Sequence, residues 1–528
     1  MNVLLVCPEF PDTFWSFKHA MKFVRKRALS PPLGLLTVAA LLPEAWHKRL
    51  VDLNVTPDLS EEDMAWADMV FVSAMAVQRS AAHAVARRCR AAGVPVVAGG
   101  PLFAAEHADF PEVDHFVLNE AELTLPPFLR DLEAGRPQRV YATAELADIE
   151  KTPAPQWELL DLKQYLQMSI QYSRGCPFDC EFCNVTTLFG HRPRAKSAPQ
   201  MIAELDALHA RGWRGSVFFV DDNFIGNKAL LKRELLPALI EWQGQGRGIT
   251  FNTQATVNLA DDPELMRMMT GAGFDMVFVG IETPDEDCLR ECNKKQNTGR
   301  DLVADVRKIQ RAGLQVQGGF IVGFDSDTPS IFGRQIEFIQ ESGIAMAMVG
   351  LLQAPPGTRL FERLRRENRI VGFGSGDNVD GSTNIVPRMP PSALHEGYQR
   401  ILNHIYSPEN HYQRVKTFLR EYRAPALKTP VSVGRCGAFA RTILRLGIIG
   451  RGRWQYWKLL GWTIFRRPRL LPLAVTLAIC GYHFRRVAEL NDRARKQAAA
   501  APGQDNVATV TRTAPRRISF SIEGGRND

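Results

Sequence analysis

Residues 172–184 read YSRGCPFDCEFCN and set Cys176, Cys180 and Cys183 close together on one stretch of chain. Thiolates select soft metals and iron–sulfur clusters, whereas a closed structural zinc site takes four protein ligands. His191 stands alone nearby, and no second Cys or His pair follows at zinc spacing. Cys288 and Cys292 lie far downstream, where they read as two thiols packed on one helix face rather than as ligands. The triplet is therefore one ligand short, and the open position is where its chemistry would occur. Two other places have residues suited to a site. VDDNF (220–224) ends an apolar run with Asp221, Asp222 and Asn223, which can cap a following helix and still serve a ligand. Gly99 and Gly100 follow another apolar run and let a large flat ligand or a phosphate approach the backbone.

These residues need strands behind them. In residues 1–145, NVLLV, RLVDL (49–53), MVFVS (69–73), VPVVAG (94–99) and HFVL (115–118) predict five strands separated by helices. Parallel strands need crossovers, so the segment is a doubly wound α/β sheet with helices on both faces. Ligands bind such sheets beyond the carboxyl ends of the strands. A Pro-containing linker follows over 146–165. MSIQYSR (168–174), SVFFVDD (216–222), ITFNTQ (249–254), MVFVGIE (276–282), VQGGFIVGF (316–324) and AMAMVGLL (345–352) then predict six βα units. These make a partial (β/α)6 barrel over 166–386, with its site at the C-terminal mouth. A basic helical region covers 387–495, and the Ala-, Pro- and Gly-rich tail 496–528 reads as disordered.

The chain of 528 residues, 45% hydrophobic and 23% charged, is long enough for several cores. Nine scattered cysteines exclude a disulfide scaffold and suit a reducing compartment. MNVLLVCPEF reads as a buried strand rather than a signal peptide, and no apolar run has the length of a membrane span. A cytoplasmic protein is the expectation. The net charge of +8 is uneven: residues 411–490 hold sixteen Lys and Arg against Glu421 and Glu489, so the rest of the chain is net acidic.

The Cys-x3-Cys-x2-Cys spacing at the end of the first barrel strand, with Phe182 before the last cysteine, resembles the cluster loop of the radical S-adenosylmethionine (SAM) enzymes. The resemblance implies a [4Fe–4S] cluster on Cys176, Cys180 and Cys183, with SAM chelating the fourth iron. Electron transfer from the cluster would cleave SAM to methionine and a 5′-deoxyadenosyl radical. It further implies that Asp221, Asp222 and Asn223 face SAM, as do Gln254, Glu282 in VGIETP, and Gly318 and Gly319 in GGFIVGF. LLQAPPGT (351–358) is similar to the family's last strand and turn. The preceding doubly wound domain resembles the cobalamin-binding domain of cobalamin-dependent members in PPLGLLTVAALLP (31–43), RLVDLNV (49–55) and VVAGGP (96–101). That places cobalamin against Asp52, Asn54, Ser73, Gly99 and Gly100. DLNVTPD has no His in the place of the usual lower ligand, so cobalamin would bind without a protein imidazole.

FWSFKHAMKF (14–23) before PPLGLL is similar in layout to the hopanoid C-methylase branch of the family. The expected function is a cobalamin-dependent radical SAM methyltransferase acting on an unactivated carbon of an apolar lipid, isoprenoid or polycyclic substrate. The alternatives are radical cyclisation, rearrangement or C–C coupling without methyl transfer, and RNA modification. An external reductant of flavodoxin or ferredoxin type is implied. In residues 451–486, Trp454, Tyr456, Trp457, Trp462 and Phe465 alternate with Arg and Lys, a composition suited to peripheral contact with the inner face of an anionic membrane. LLPLAVTLAICGYHF (470–484) is too short to span and would dip into the leaflet or pack on the barrel. Arg with aromatics also binds RNA, but the Leu- and Ile-rich turns favour the membrane over nucleic acid.

Overall fold

The computed structural model describes residues 1–424 and 433–500. Its first unit is a six-stranded parallel sheet of β1 (Asn2–Cys7), β2 (His47–Asp52), β3 (Met69–Ser73), β4 (Val96–Gly99), β5 (His115–Val117) and β6 (Val140–Tyr141). The strand order is β2-β1-β3-β4-β5-β6. Strand β1 is apolar throughout because both of its faces are covered. Leu4 and Val6 pack with Val70, Val72 and Ala82 on one side, and Val3 and Leu5 pack with Leu35, Phe71 and Phe128 on the other. Successive strands leave β1 in opposite directions, so a crevice opens beyond the ends of β1 and β3. Strand β6 is a sixth strand beyond the five expected; two residues are too few to show any periodicity.

The second unit begins with β7 (Gln167–Ile170), followed by β8 (Ser173–Arg174) and β9 (Arg194–Ala195), a two-stranded antiparallel brace. Then come β10 (Ser216–Phe219), β11 (Phe251–Gln254), β12 (Phe274–Glu282), β13 (Gln315–Val322) and β14 (Met346–Leu351). Strands β7 and β10 to β14 form one parallel sheet in sequence order, an open barrel of six βα units. The connector 146–165 packs on the molecule, with Trp157 and Tyr165 buried in the main core.

The C-terminal helices share that core. Tyr398, Ile401, Val415, Phe418, Leu459 and Leu477 join the barrel's apolar cluster. Arg414, fully buried in the helix Pro408–Glu421, donates to Gln340 Oε1 at 2.6 Å and to the Ile405 carbonyl at 2.8 Å. The helix Leu471–Ala500 lies against the N-terminal segment, where Phe484 stacks on Phe14 at 4.1 Å and His483 Nε2 meets the Phe14 carbonyl at 3.1 Å. Of the two places expected for residues 470–484, the structure selects packing on the protein. Ala474, Leu477 and Ala478 are inaccessible to solvent, so this stretch does not enter a leaflet. Among the described residues no helix is long and apolar enough to cross a membrane. The same helix runs through the expected start of the tail to Ala500, and residues 501–528 lie outside the described residues.

Candidate active site

The cysteine loop is held at both ends. The brace β8/β9 closes its base, and Gly175 passes the crossing segment 189–192 so closely that a Cβ would lie 2.9 Å from the Gly190 carbonyl oxygen. Its φ of +94° also requires glycine. At the far end, Asn293 Nδ2 donates to the Asp179 carbonyl at 2.7 Å and the Glu181 N–H to the Cys292 carbonyl at 2.9 Å. The three thiols stay partly accessible. Asn223 Nδ2 lies 3.8 Å from the Cys176 sulfur and Gln296 Nε2 3.6 Å from that of Cys180. No three His, Cys, Asp or Glu among the described residues converge on a single ion. A cluster, in which each thiolate takes a different iron, has no need of such convergence.

Burial raises the Cys176 thiol and pushes Cys183 up to about 12, against a lowering contribution from the Lys294 ammonium. Lys294 itself is buried and bonds Glu282 Oε1 at 2.5 Å. Burial opposes its charge, but Glu282 and the Cys180 sulfur outweigh that and raise its pKa. A cation beside three sulfurs favours their thiolate forms, the forms that bind iron. Glu282 ends β12 at a register shift with φ +65°, a strained conformation of the kind that collects at functional sites.

The structure sorts the residues expected around SAM. Asp222 and Gln254 face a cavity of about 2520 Å³ between the two sheets. Burial, with Asp221 beside it, pushes Asp222 up to about 7. Asp221 turns the other way. It is fully buried and accepts from the Tyr172 N–H at 3.0 Å and the Ser173 hydroxyl at 2.5 Å, so it anchors the strand that leads into the cysteine loop instead of facing SAM. A Cβ at Gly318 would meet Phe320 and one at Gly319 would meet Phe278, each at 2.7 Å, so both glycines make room for aromatic rings, and neither lines the cavity. Glu282 and Asn223 sit at the cysteine loop instead of on the cavity wall.

All five residues expected around cobalamin line one wall of the cavity. Asp52 accepts from Asn54 Nδ2 at 2.7 Å and Tyr165 Oη at 3.0 Å, and Asn54 Oδ1 accepts from the Phe10 N–H at 2.8 Å. This network, with Gln78 bonding the Pro8 carbonyl at 2.5 Å, fixes the rim of β1 and β2. A Cβ at Gly100 would lie 2.6 Å from the Ser73 hydroxyl, and one at Gly99 2.7 Å from the Val117 carbonyl. Glycine is thus required at both positions, and together they give the cavity a ledge of bare backbone.

Sequence reasoning missed Lys294, Gln296 and the groups that hold the two units together. Glu120 accepts from Arg174 at 3.0 Å and Arg194 at 2.9 Å, and Glu122 accepts from Arg174 at 2.8 Å. The first unit is thus tied to both strands of the cysteine brace. Burial works to raise these carboxyls, but the arginines outweigh it and hold both below the usual carboxylate range. The four residues are scattered along the chain, and no spacing pattern links them.

A ledge at the switch point of a doubly wound sheet, facing a partial barrel with a three-thiol loop, defines a cobalamin-dependent radical SAM enzyme. Family models agree: "B12 binding domain" matches residues 27–129, "Radical SAM superfamily" residues 170–339, and "Domain of unknown function (DUF4070)" residues 358–497. An uncharacterized methyltransferase of Synechocystis sp. is 39% identical over 499 residues, 93% of this chain and 92% of that protein. The hopanoid C-2 methylase of Rhodopseudomonas palustris is 36% identical over 472 residues, 87% of this chain and 88% of that protein. The solved structure of the cobalamin-dependent SAM radical enzyme OxsB with aqua-cobalamin bound shares the fold, with a TM-score of 0.61 at 13% identity over 94% of this chain and 80% of that one. The chain belongs to the cobalamin-dependent radical SAM methyltransferases. Its cofactors are a [4Fe–4S] cluster, SAM and cobalamin.

Proposed function

We propose that the protein methylates an unactivated carbon of an apolar polycyclic or isoprenoid lipid while resting on an anionic membrane surface. The character of the shared cavity supports this. Between the ledge of Gly99 and Gly100 and the opposite wall of Asp222 and Gln254, it is lined by Phe14, Trp15, Met21, Phe278, Val475 and Ile479. A ligand that fills such walls gains about 25 cal/mol per Å² of apolar surface removed from water. The hopanoid C-2 methylase, similar over most of both chains, supports the same reading.

Bound in the site, the three cofactors supply one-electron cleavage of SAM and a methyl group for carbon. The chain's own residues do the rest. Cys176, Cys180 and Cys183 hold the cluster, with Asn223, Gln296 and Lys294 stabilising their sulfurs. Asp222 and Gln254 turn toward SAM, and Gly99, Gly100, Ser73 and Asn54 support the corrin. The apolar walls hold the acceptor carbon between them and exclude water. The electron comes from an external flavodoxin- or ferredoxin-type reductant. Membrane contact runs through the exposed face of residues 444–469, where Phe465 is 87%, Ile449 71% and Trp454 67% accessible beside Arg451, Arg453, Lys458 and Arg466. Exposed apolar side chains interleaved with cations match the headgroup region of an anionic bilayer.

The test compares lipid and polar extracts of cells with and without the protein, grown with methyl-labelled methionine. A labelled apolar lipid present only with the protein is the expected result. A label difference confined to RNA or to polar metabolites would overturn the lipid reading.

A further inference from the structure

We infer that the half of the cavity remote from the cofactors is a second binding site, built to hold a neutral, hydroxyl-bearing end of an amphiphilic substrate. This rests on the reading that an apolar skeleton occupies the cofactor half, and it adds what the other end of the molecule is.

The cavity follows the inner face of the second sheet down to the N-terminal ends of its strands. Register aligns Ser169, Phe218, Asn252, Met276 and Gln315 on one rung, with Gln254, Phe278, Gln317 and Met346 on the rung nearer the cofactors. Gln167 and Ser216, the first residues of β7 and β10, pair on a lower rung, and Asp275 and Thr250 lie beside them on the cavity wall. Amides and hydroxyls thus alternate with Phe218, Met276, Phe278 and Met346 across these rungs, and the lowest rung, Gln167 and Ser216 with Thr250 and Asp275 beside it, is polar throughout. The opposite face of the same strands holds Val217, Phe219, Phe251, Val277 and Val316, all fully buried. The polar choice is thus confined to the lumen, where a packed barrel would place branched apolar residues.

The Gln315 and Gln317 amide donors find no oxygen partner among the described residues. Gln315 is 6% exposed, and its Nε2 has no partner among the described residues. Gln317 Nε2 reaches only the sulfurs of Met276 and Met346. Asn252 Nδ2, by contrast, is used within the layer, donating to the Ser216 hydroxyl at 3.1 Å and to Gln167 Oε1 at 3.4 Å. A buried donor without a partner is costly, so such groups mark a place where a partner arrives. Burial pushes Asp275 up to about 7, so its carboxyl can donate as well as accept near neutrality. Amides that both donate and accept match hydroxyls, which do the same, better than an acceptor-only phosphate.

The geometry also gives a direction of loading. Arg214, Ala424, Cys436, Arg469 and Pro472 line the same cavity and are exposed, so among the described residues it opens to the outside at this end. Arg469 follows closely on the exposed Phe465 and Arg466. A lipid leaving the bilayer skeleton first would leave its polar end at the amide layer.

The test is calorimetric titration of the full-length, cobalamin-loaded protein in detergent with two probes. One is a pentacyclic triterpene hydrocarbon and the other the same skeleton with a polyhydroxylated side chain. The hydroxylated probe should bind ~10-fold or more tightly than the hydrocarbon, as one or two net hydrogen bonds supply. Gln315→Leu/Gln317→Leu should abolish that preference and leave hydrocarbon binding unchanged, which also shows that the variant is folded. Equal binding of the two probes to the wild type, or a variant that keeps the preference, overturns the subsite alone. Binding of neither probe overturns the apolar reading of the cofactor half and the subsite with it.

Discussion

At the scale of single residues, Lys294 and Glu282 show how a buried pair serves a metal site. Neither belongs in a low-dielectric interior alone, and removing one partner of such a pair costs about 3–5 kcal/mol. Lys294→Met is therefore expected to lower unfolding stability by that order, with much of it restored in Lys294→Met/Glu282→Leu. Chemical denaturation of the apoprotein measures both, and a neutral single variant would remove the pair from the account of the loop. The cysteines should behave oppositely. Cys183→Ser should leave the apoprotein's melting temperature within a few degrees of wild type, yet reconstitute with depleted iron and yield no 5′-deoxyadenosine from SAM above background. The thiols' value lies in the ligands they supply, since the loop is already held by Gly175, Asn293 and the brace.

At the scale of elements, the helix Leu471–Ala500 is fastened by two buried histidines. His411 Nε2 meets the Leu477 carbonyl at 3.0 Å, and His483 meets that of Phe14. Burial pushes His411 down to about 3 and His483 down to about 4, from an ordinary value of 6.5. Between those limits the unfolded chain takes up protons that the folded chain refuses. Stability is thus complete above pH 6.5 and lost as the pH falls toward 4, on the order of 2 kcal/mol per histidine at pH 5. Hydrogen exchange in residues 471–490 should quicken at pH 5 relative to pH 7, after correction for intrinsic rates. His411→Gln, which still donates to the carbonyl, should flatten that dependence. The neighbouring helix Arg453–Arg466 buries Tyr456, Leu459 and Leu460 on one face and turns Trp454, Trp457, Ile464 and Phe465 outward on the other. Phe465→Ser/Arg466→Glu should reduce flotation with phosphatidylglycerol liposomes several-fold. Equal flotation would argue against the membrane face. Arg467 is a poor choice for that test, because it bonds the Tyr422 carbonyl at 2.5 Å.

At the scale of the whole molecule, the two sheets enclose one reaction space only while they stay in register. Glu120 and Glu122 tie the cobalamin-binding unit to Arg174 and Arg194 of the cysteine brace. Glu120→Ala/Glu122→Ala leaves both arginines without carboxylates at the interface. Weaker corrinoid retention on gel filtration and faster proteolysis within residues 142–156 are expected, with the cluster still able to assemble. Corrinoid retention equal to wild type would show that apolar contacts alone set the docking.

What was legible in the chain follows from locality. The strands of both sheets other than the two-residue β6, the thiol loop and the glycine ledge each lie within a few consecutive residues, so alternation and spacing reveal them. Whether a residue faces a site depends on which side of a strand end it leaves, and adjacent residues leave on opposite sides. Asp221 and Asp222 are neighbours in sequence, yet one anchors the backbone and the other faces the cavity. The helix at 471–500 has the composition of a membrane-seeking segment, but burial against Phe14 and the barrel satisfies its apolar face first. By itself the sequence determined the two folding units, the thiols and the backbone that can approach a corrin. Only the tertiary structure decided that the clamp, the Lys294–Glu282 pair and the amide-lined lumen exist, because each joins residues whose separation along the chain hides their proximity in space.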